Sequence, residues 1–149
     1  MIINKEELYF KCIDKVNEKI EQYQKEMDLI KESMDANDVQ NGYDEENRGQ
    51  LLGDFEKHAE HLDNAQKMKE ELSKIDQEHH TTKINFGSIV ETEHNYYFIA
   101  TALGEISLEE GSTVYVISTE APIFKEMEGK GEGDNFSYNN ENHTIQSVN

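Results

Sequence analysis

The strongest constraint is a heptad seam near the start of the chain. Tyr9, Ile13, Val16, Ile20, Tyr23, Met27, Ile30 and Met34 are spaced alternately four and three residues apart. Lys, Glu and Gln fill most positions between them. A 4-3 repeat of apolar residues puts one narrow stripe along a helix, and that stripe must be buried against another helix. A second, less regular series follows: Leu52, Phe55, Ala59, Leu62, Ala65, Met68, Leu72 and Ile75. Between the two lies a polar stretch, DANDVQNGYDEENRG at 35–49, whose Asn, Asp and Gly can end one helix and cap the next. Two seams joined this way predict an antiparallel helical hairpin, each helix of ~28 residues being ~42 Å long. A coiled coil between chains is the alternative that the seam alone leaves open.

The chain changes character near residue 80. Residues 1–79 hold 21 acids and 11 bases, no Pro and three of the nine Gly. Beyond them the single Pro, six Gly and runs of Thr, Val, Ile and Tyr favour strands. The expected boundary falls at Glu78–Lys83, where His79, His80, Thr81 and Thr82 interrupt the helical pattern. The expected organisation is a hairpin over 1–79 and a second domain over 80–149, an α+β arrangement. Expected strands are Ile84–Glu91, Tyr96–Leu103, Thr113–Ser118, Asn135–Tyr138 and His143–Val148 in a small antiparallel sheet. Glu93-His94-Asn95 fits a hairpin turn. Pro122 suits the first turn of a short helix reaching Glu128, and Gly129, Gly131 and Gly133 then turn the chain.

Charge and composition exclude several functions. The net charge is -18, with 32 acids against 14 bases. A general nucleic-acid coat or an anionic-membrane binder needs a basic footprint that is missing here. No apolar run approaches the ~18 residues of a membrane span, and no signal-peptide stretch opens the chain. One cysteine, Cys12, cannot form an internal disulfide; a buried thiol in a reducing, cytoplasmic setting is expected.

Five acids, Asp35, Asp38, Asp44, Glu45 and Glu46, crowd the polar stretch between the two seams. Carboxylates at a hairpin tip offer oxygen donors to a hard cation such as Mg²⁺; acids near a helix start also serve simply to cap it. An EF-hand is excluded, because placing Gly42 at loop position six puts Arg48 where the bidentate Glu belongs. Arg48, the only Arg, sits four residues after Asp44, at ion-pair spacing. His58 and His61, three apart on the second helix, have no Cys nearby and Lys57 beside them; they read as solvated or seam-flanking. GKGEGD at 129–134 lacks the phosphate-loop pattern. No Ser/His/Asp or Cys/His constellation is legible.

The block PIFKEMEGKGEGD, Pro122–Asp134, resembles the C-terminal domain of the Gre transcript-cleavage factors, GreA and GreB. That family carries Ser-Pro-Ile, a short helix, then Gly-Lys-x-x-Gly-Asp and an alternating strand. Pro122, Ile123, Gly129, Lys130, Gly133 and Asp134 stand in that order, with Ala121 in place of the Ser. INFGSIVE at 84–91 and EEGSTVYVIS at 109–118 look like two further strands of that domain. Family tips resemble Gly-Asp-Leu-Ser-Glu-Asn; here Gly42, Glu46 and Asn47 match, Tyr43 stands at the Asp position, and Asp44 follows one residue later.

The resemblance implies an FKBP-like sheet domain after the hairpin, and a factor that enters the secondary channel of bacterial RNA polymerase. Tip carboxylates, here Asp44 and Glu46, would help hold a second Mg²⁺, so that the polymerase cuts its own backtracked RNA. The factor would be an accessory and not an enzyme, cytoplasmic and monomeric. It would meet nascent RNA only through the polymerase and hold no metal in isolation. Pro122 and Ile123 would contact the polymerase. Three alternatives stay open: a channel regulator that binds polymerase without stimulating cleavage, a coiled-coil interaction module, and, least favoured, a prolyl isomerase.

Overall fold

The computed structural model describes residues 3–39 and 45–149. The elements run α1 (Lys5–Val39), α2 (Glu45–Ser73), β1 (Ile89–Thr92), β2 (Tyr96–Ile99), β3 (Gly104–Ser107), β4 (Thr113–Ile117), α3 (Pro122–Met127), β5 (Asn135–Tyr138) and β6 (Glu141–Val148). They form two compact units. One is Lys15–Lys69; the other combines Met1–Asp14 with Glu70–Asn149. No described helix is long and apolar enough to cross a membrane.

In the hairpin unit the seam faces inward. Along residues 21–36 the only positions not fully exposed are Tyr23, Glu26, Met27, Ile30 and Met34. Four of these belong to the heptad series. The helices run antiparallel. Tyr23 stacks on His61, with ring centroids 5.3 Å apart, while Glu26, further along α1, meets His58, which lies earlier in α2. Of the two adjacent leucines on α2, Leu51 is half-buried, whereas Leu52 is 46% exposed. The expected series therefore began one residue late. Leu51 lies four before Phe55 and shares its face, while Leu52 is rotated by about 100°.

The helices are also longer than the polar stretch suggested, with 35 and 29 residues. Asp35 to Val39 remain helical, and α2 already starts at Glu45. No Gly or Pro interrupts 35–39, and acids suit a helix's first turn. At the other end, α2 stops at Ser73. Ile75 lies beyond it in a tighter turn, its N–H bonded to the Leu72 carbonyl, and is still buried.

In the other unit six strands form one sheet in the order β3-β4-β2-β1-β6-β5. Every pairing is antiparallel except β2 with β4, which is parallel, Tyr97 facing Tyr115 and Phe98 facing Val116. The chain leaves β2, passes out to the edge strand β3 and returns as β4 in the gap. β3 itself was not expected. It is short, begins at a glycine, and buries only Ile106.

The expected strand at 84–91 is real only from Ile89. Gly87 takes φ +91°, and Asn85 and Ser88 close a turn before it. Tyr96–Leu103 ends at Ile99, where the chain bends. The turn at 93–95 forms as expected, organised by Thr92, whose Oγ1 accepts the N–H groups of His94 and Asn95.

The period-2 alternation of β1, β2 and β4 sorts their residues to two faces. On one, Val90, Tyr97, Ile84, Ile99, Phe124, Met127, Phe136 and Ile145 make a continuous apolar cluster, with α3 supplying Phe124 and Met127. On the other, Ile89, Phe98 and Val116 align across three strands and are at most 1% exposed. The helix ends in this unit contribute Leu8, Cys12 and Leu72, all fully buried. Lys5 is buried with them; its Nζ donates to the His79 carbonyl at 2.8 Å. Burial holds the Lys5 ammonium below the usual lysine range, partly opposed by Asp76.

Candidate functional site

The first candidate is the acidic join between α1 and α2. Asp44 lies outside the described residues. Glu46 sits in the first turn of α2, and its side chain is also outside them. The pairing of Asp44 with Arg48 falls there too. Arg48 is exposed on the same turn of α2.

The second candidate surrounds Pro122 and Ile123. Pro122 occupies the first turn of α3, where its missing N–H costs nothing and its fixed φ suits the helix. Ala121 is the N-cap residue, extended at φ −61°, ψ 135°, and provides no side-chain cap. Ile123 packs partly on the apolar cluster, and Pro122 is exposed. Beside them lies a shallow depression of about 400 Å³, lined by Ala102, Gly104, Val116, Ile117, Ser118 and Glu120, with Ala121 at its edge. The surface is apolar with one carboxylate on its rim. It suits a partner that buries small apolar groups and offers a hydrogen-bond donor or cation.

The Gly-rich block after α3 is a structural turn. The N–H groups of Gly129, Lys130, Gly133 and Asp134 donate to the carbonyls of Ile84, Met127, Ile145 and Gly131. Gly131 N–H donates to the Asp134 carboxylate at 2.8 Å. A phosphate needs several free amides at one place, and these five are already used. Gly131 is required sterically: a Cβ there would lie 2.8 Å from the Thr82 carbonyl oxygen. The Gly-Lys-x-x-Gly-Asp pattern thus fastens α3 between Ile84 and β5, and Lys130 Nζ donates to the Asn135 carbonyl at 2.7 Å. The block presents α3 and its leading Pro-Ile pair at a fixed place on the sheet.

His58 and His61 flank the seam. His58 Nε2 is 2.7 Å from Glu26 Oε2 and its Nδ1 is 2.8 Å from the Asp54 carbonyl. The Glu26 contact links the two helices, and the Asp54 contact stays within α2. Another group was not visible in sequence. Glu93 and His94 from the β1–β2 turn meet His143 of β6. These residues are some fifty positions apart in the chain, and only the pairing of β1 with β6 brings them together.

No protein-family model and no curated protein matches the chain. Solved structures similar to it include GreA factor homolog 1 (Gfh1) of Thermus thermophilus, at 14% identity over 92% of this chain and 94% of that one, TM-score 0.38. Gfh1 of Thermus aquaticus is similar at 14% identity over 93% and 94%, TM-score 0.38. A further structure of the transcription factor Gfh1 is similar at 16% identity over 93% and 90%, TM-score 0.33.

Proposed function

We propose that the chain is a Gre-like factor that binds bacterial RNA polymerase in its secondary channel and stimulates the polymerase's own cleavage of backtracked RNA. The reading rests on one observation above others. The residues of the Pro122–Asp134 block that resemble the Gre pattern do a joint structural job: they fix α3 on the sheet and leave Pro122 exposed beside an apolar depression. A separate hairpin unit supplies the long element such a factor inserts.

In this reading Asp44 and Glu46 supply oxygen donors to a Mg²⁺ shared with the polymerase, a donor type that suits a hard cation. Held by these carboxylates, the ion would supply activation of water and stabilisation of the leaving oxygen. The protein adds ligands and positioning and has no activity alone. Pro122 and Ile123 contact the polymerase.

Tyr43, at the position of the family's tip Asp, favours a second reading: a regulator that occupies the channel without stimulating cleavage. Two variants separate the readings. Asp44→Ala with Glu46→Ala should abolish stimulated cleavage and leave polymerase affinity within about twofold, since the changes are confined to the tip. Pro122→Ala with Ile123→Ala should weaken binding itself. Full polymerase binding by a wild-type chain that never accelerates cleavage selects the second reading.

A further inference from the structure

We propose that Glu93, His94 and His143 form a site for a borderline transition metal, Zn²⁺, that clips the β1–β2 turn to β6. One ligand atom from each residue lies within 4.8 Å of the others, the only such group among the described residues. Two imidazoles and a carboxylate are a common donor set for Zn²⁺, with three protein ligands and a fourth position for water. The same set is poor for Mg²⁺ or Ca²⁺, which prefer oxygen throughout.

The surroundings hold two of the donors, His143 and Glu93, in place. His143 is 6% exposed and its ring stacks on Phe136, with centroids 4.9 Å apart and planes 14° from parallel. Its Nδ1 is buried and has no hydrogen-bond partner, an arrangement native proteins rarely leave unmet. Its Nε2 lies 4.0 Å from a Glu141 carboxylate oxygen, too far for a hydrogen bond. Glu93 Oε2 accepts the Thr144 N–H at 2.6 Å. That bond orients the carboxylate so that Oε1 lies 3.6 Å from His94 Nε2. A surface Glu–His ion pair would account for Glu93 and His94. It would leave the buried nitrogen of His143 without a partner.

The site shares no residue with the acidic join or with the Pro122–Ile123 pair, so its test is independent of the proposed function. The experiment is a calorimetric titration of ZnCl₂ into the untagged, chelator-stripped full chain, with thermal unfolding measured in parallel. Expected are saturable one-to-one binding and a higher melting temperature with Zn²⁺. Glu93→Gln and His94→Ala change partly exposed side chains and should fold. Each should weaken binding by more than about tenfold, since even outer-shell changes cost roughly that much. His58→Ala with His61→Ala removes the histidine pair of α2 and should leave binding intact. The proposal is overturned if the wild-type chain shows no saturable uptake, if His94→Ala leaves the titration unchanged, or if the His58/His61 variant is the one that loses it.

Discussion

Among the described residues of the hairpin unit, Val16 and Ala65 are the only buried apolar side chains. The rest of its seam is half-buried. The sheet unit instead holds Leu8, Leu72, Ile89, Phe98, Ile99, Val114 and Met127 at 0% exposure. Two thin helices meeting along one stripe cannot shield their contact from water on both sides. A sheet with apolar residues on both faces can. The hairpin therefore gains its stability in small increments along its length, and the sheet unit gains it from a few dense positions. Removing one side chain should be tolerated in the first and severe in the second.

The largest expected effect tests that contrast directly. Phe98→Ala should destabilise the sheet unit by about 3–5 kcal/mol, the usual cost of deleting a buried aromatic. Ile20→Ala in the hairpin seam should cost only about 1 kcal/mol, because a half-buried side chain returns little surface to water. Urea unfolding of both variants checks it, and equal losses would break the contrast.

A sharper test lies on α2. Leu51→Ala should cost about 1 kcal/mol by the same reasoning, while Leu52→Ala should fall within about 0.5 kcal/mol of wild type. The reverse order would mean that the seam follows the original sequence series after all.

A gain is expected on the sheet side. Ala121→Ser restores an oxygen at the N-cap of α3 and should stabilise by about 1 kcal/mol. No gain would show that the extended backbone there already satisfies the first turn.

The smallest effect concerns acid. The Ser112 hydroxyl and then the residue's own backbone N–H hold the Glu110 carboxyl below its ordinary value of 4.5, with Lys11 adding to the effect. The unfolded chain then binds a proton more readily than the folded one. The stabilising contribution is present above pH 4.5 and is lost as pH falls through the lower folded value. Glu110→Gln should flatten that part of the acid limb in urea midpoints taken between about pH 6 and pH 3. An unchanged slope would place the acid sensitivity elsewhere.

The same contrast explains what could be read from sequence. A heptad repeat is local, so Tyr23, Met27, Ile30 and Met34 announced the hairpin without any knowledge of the partner helix. Its weaker half misled by one residue at Leu52 because Leu51 and Leu52 are adjacent and equally apolar. The alternation of β4 and the Pro122–Met127 helix were legible for the same local reason. The parallel pairing of β2 with β4 was not, since strand direction is set by the detour through β3. Locally, Glu93 and His94 spell only a turn. Nothing along the chain pointed to His143, whose approach depends on the β1–β6 register.

The most direct test of the proposed function is transcript cleavage in a stalled, backtracked elongation complex of the cognate bacterial polymerase, in Mg²⁺, with and without the full chain. Faster release of short 3′ RNA fragments is expected, lost when Asp44 and Glu46 are both alanine. An unchanged cleavage rate at concentrations that saturate polymerase binding would contradict it.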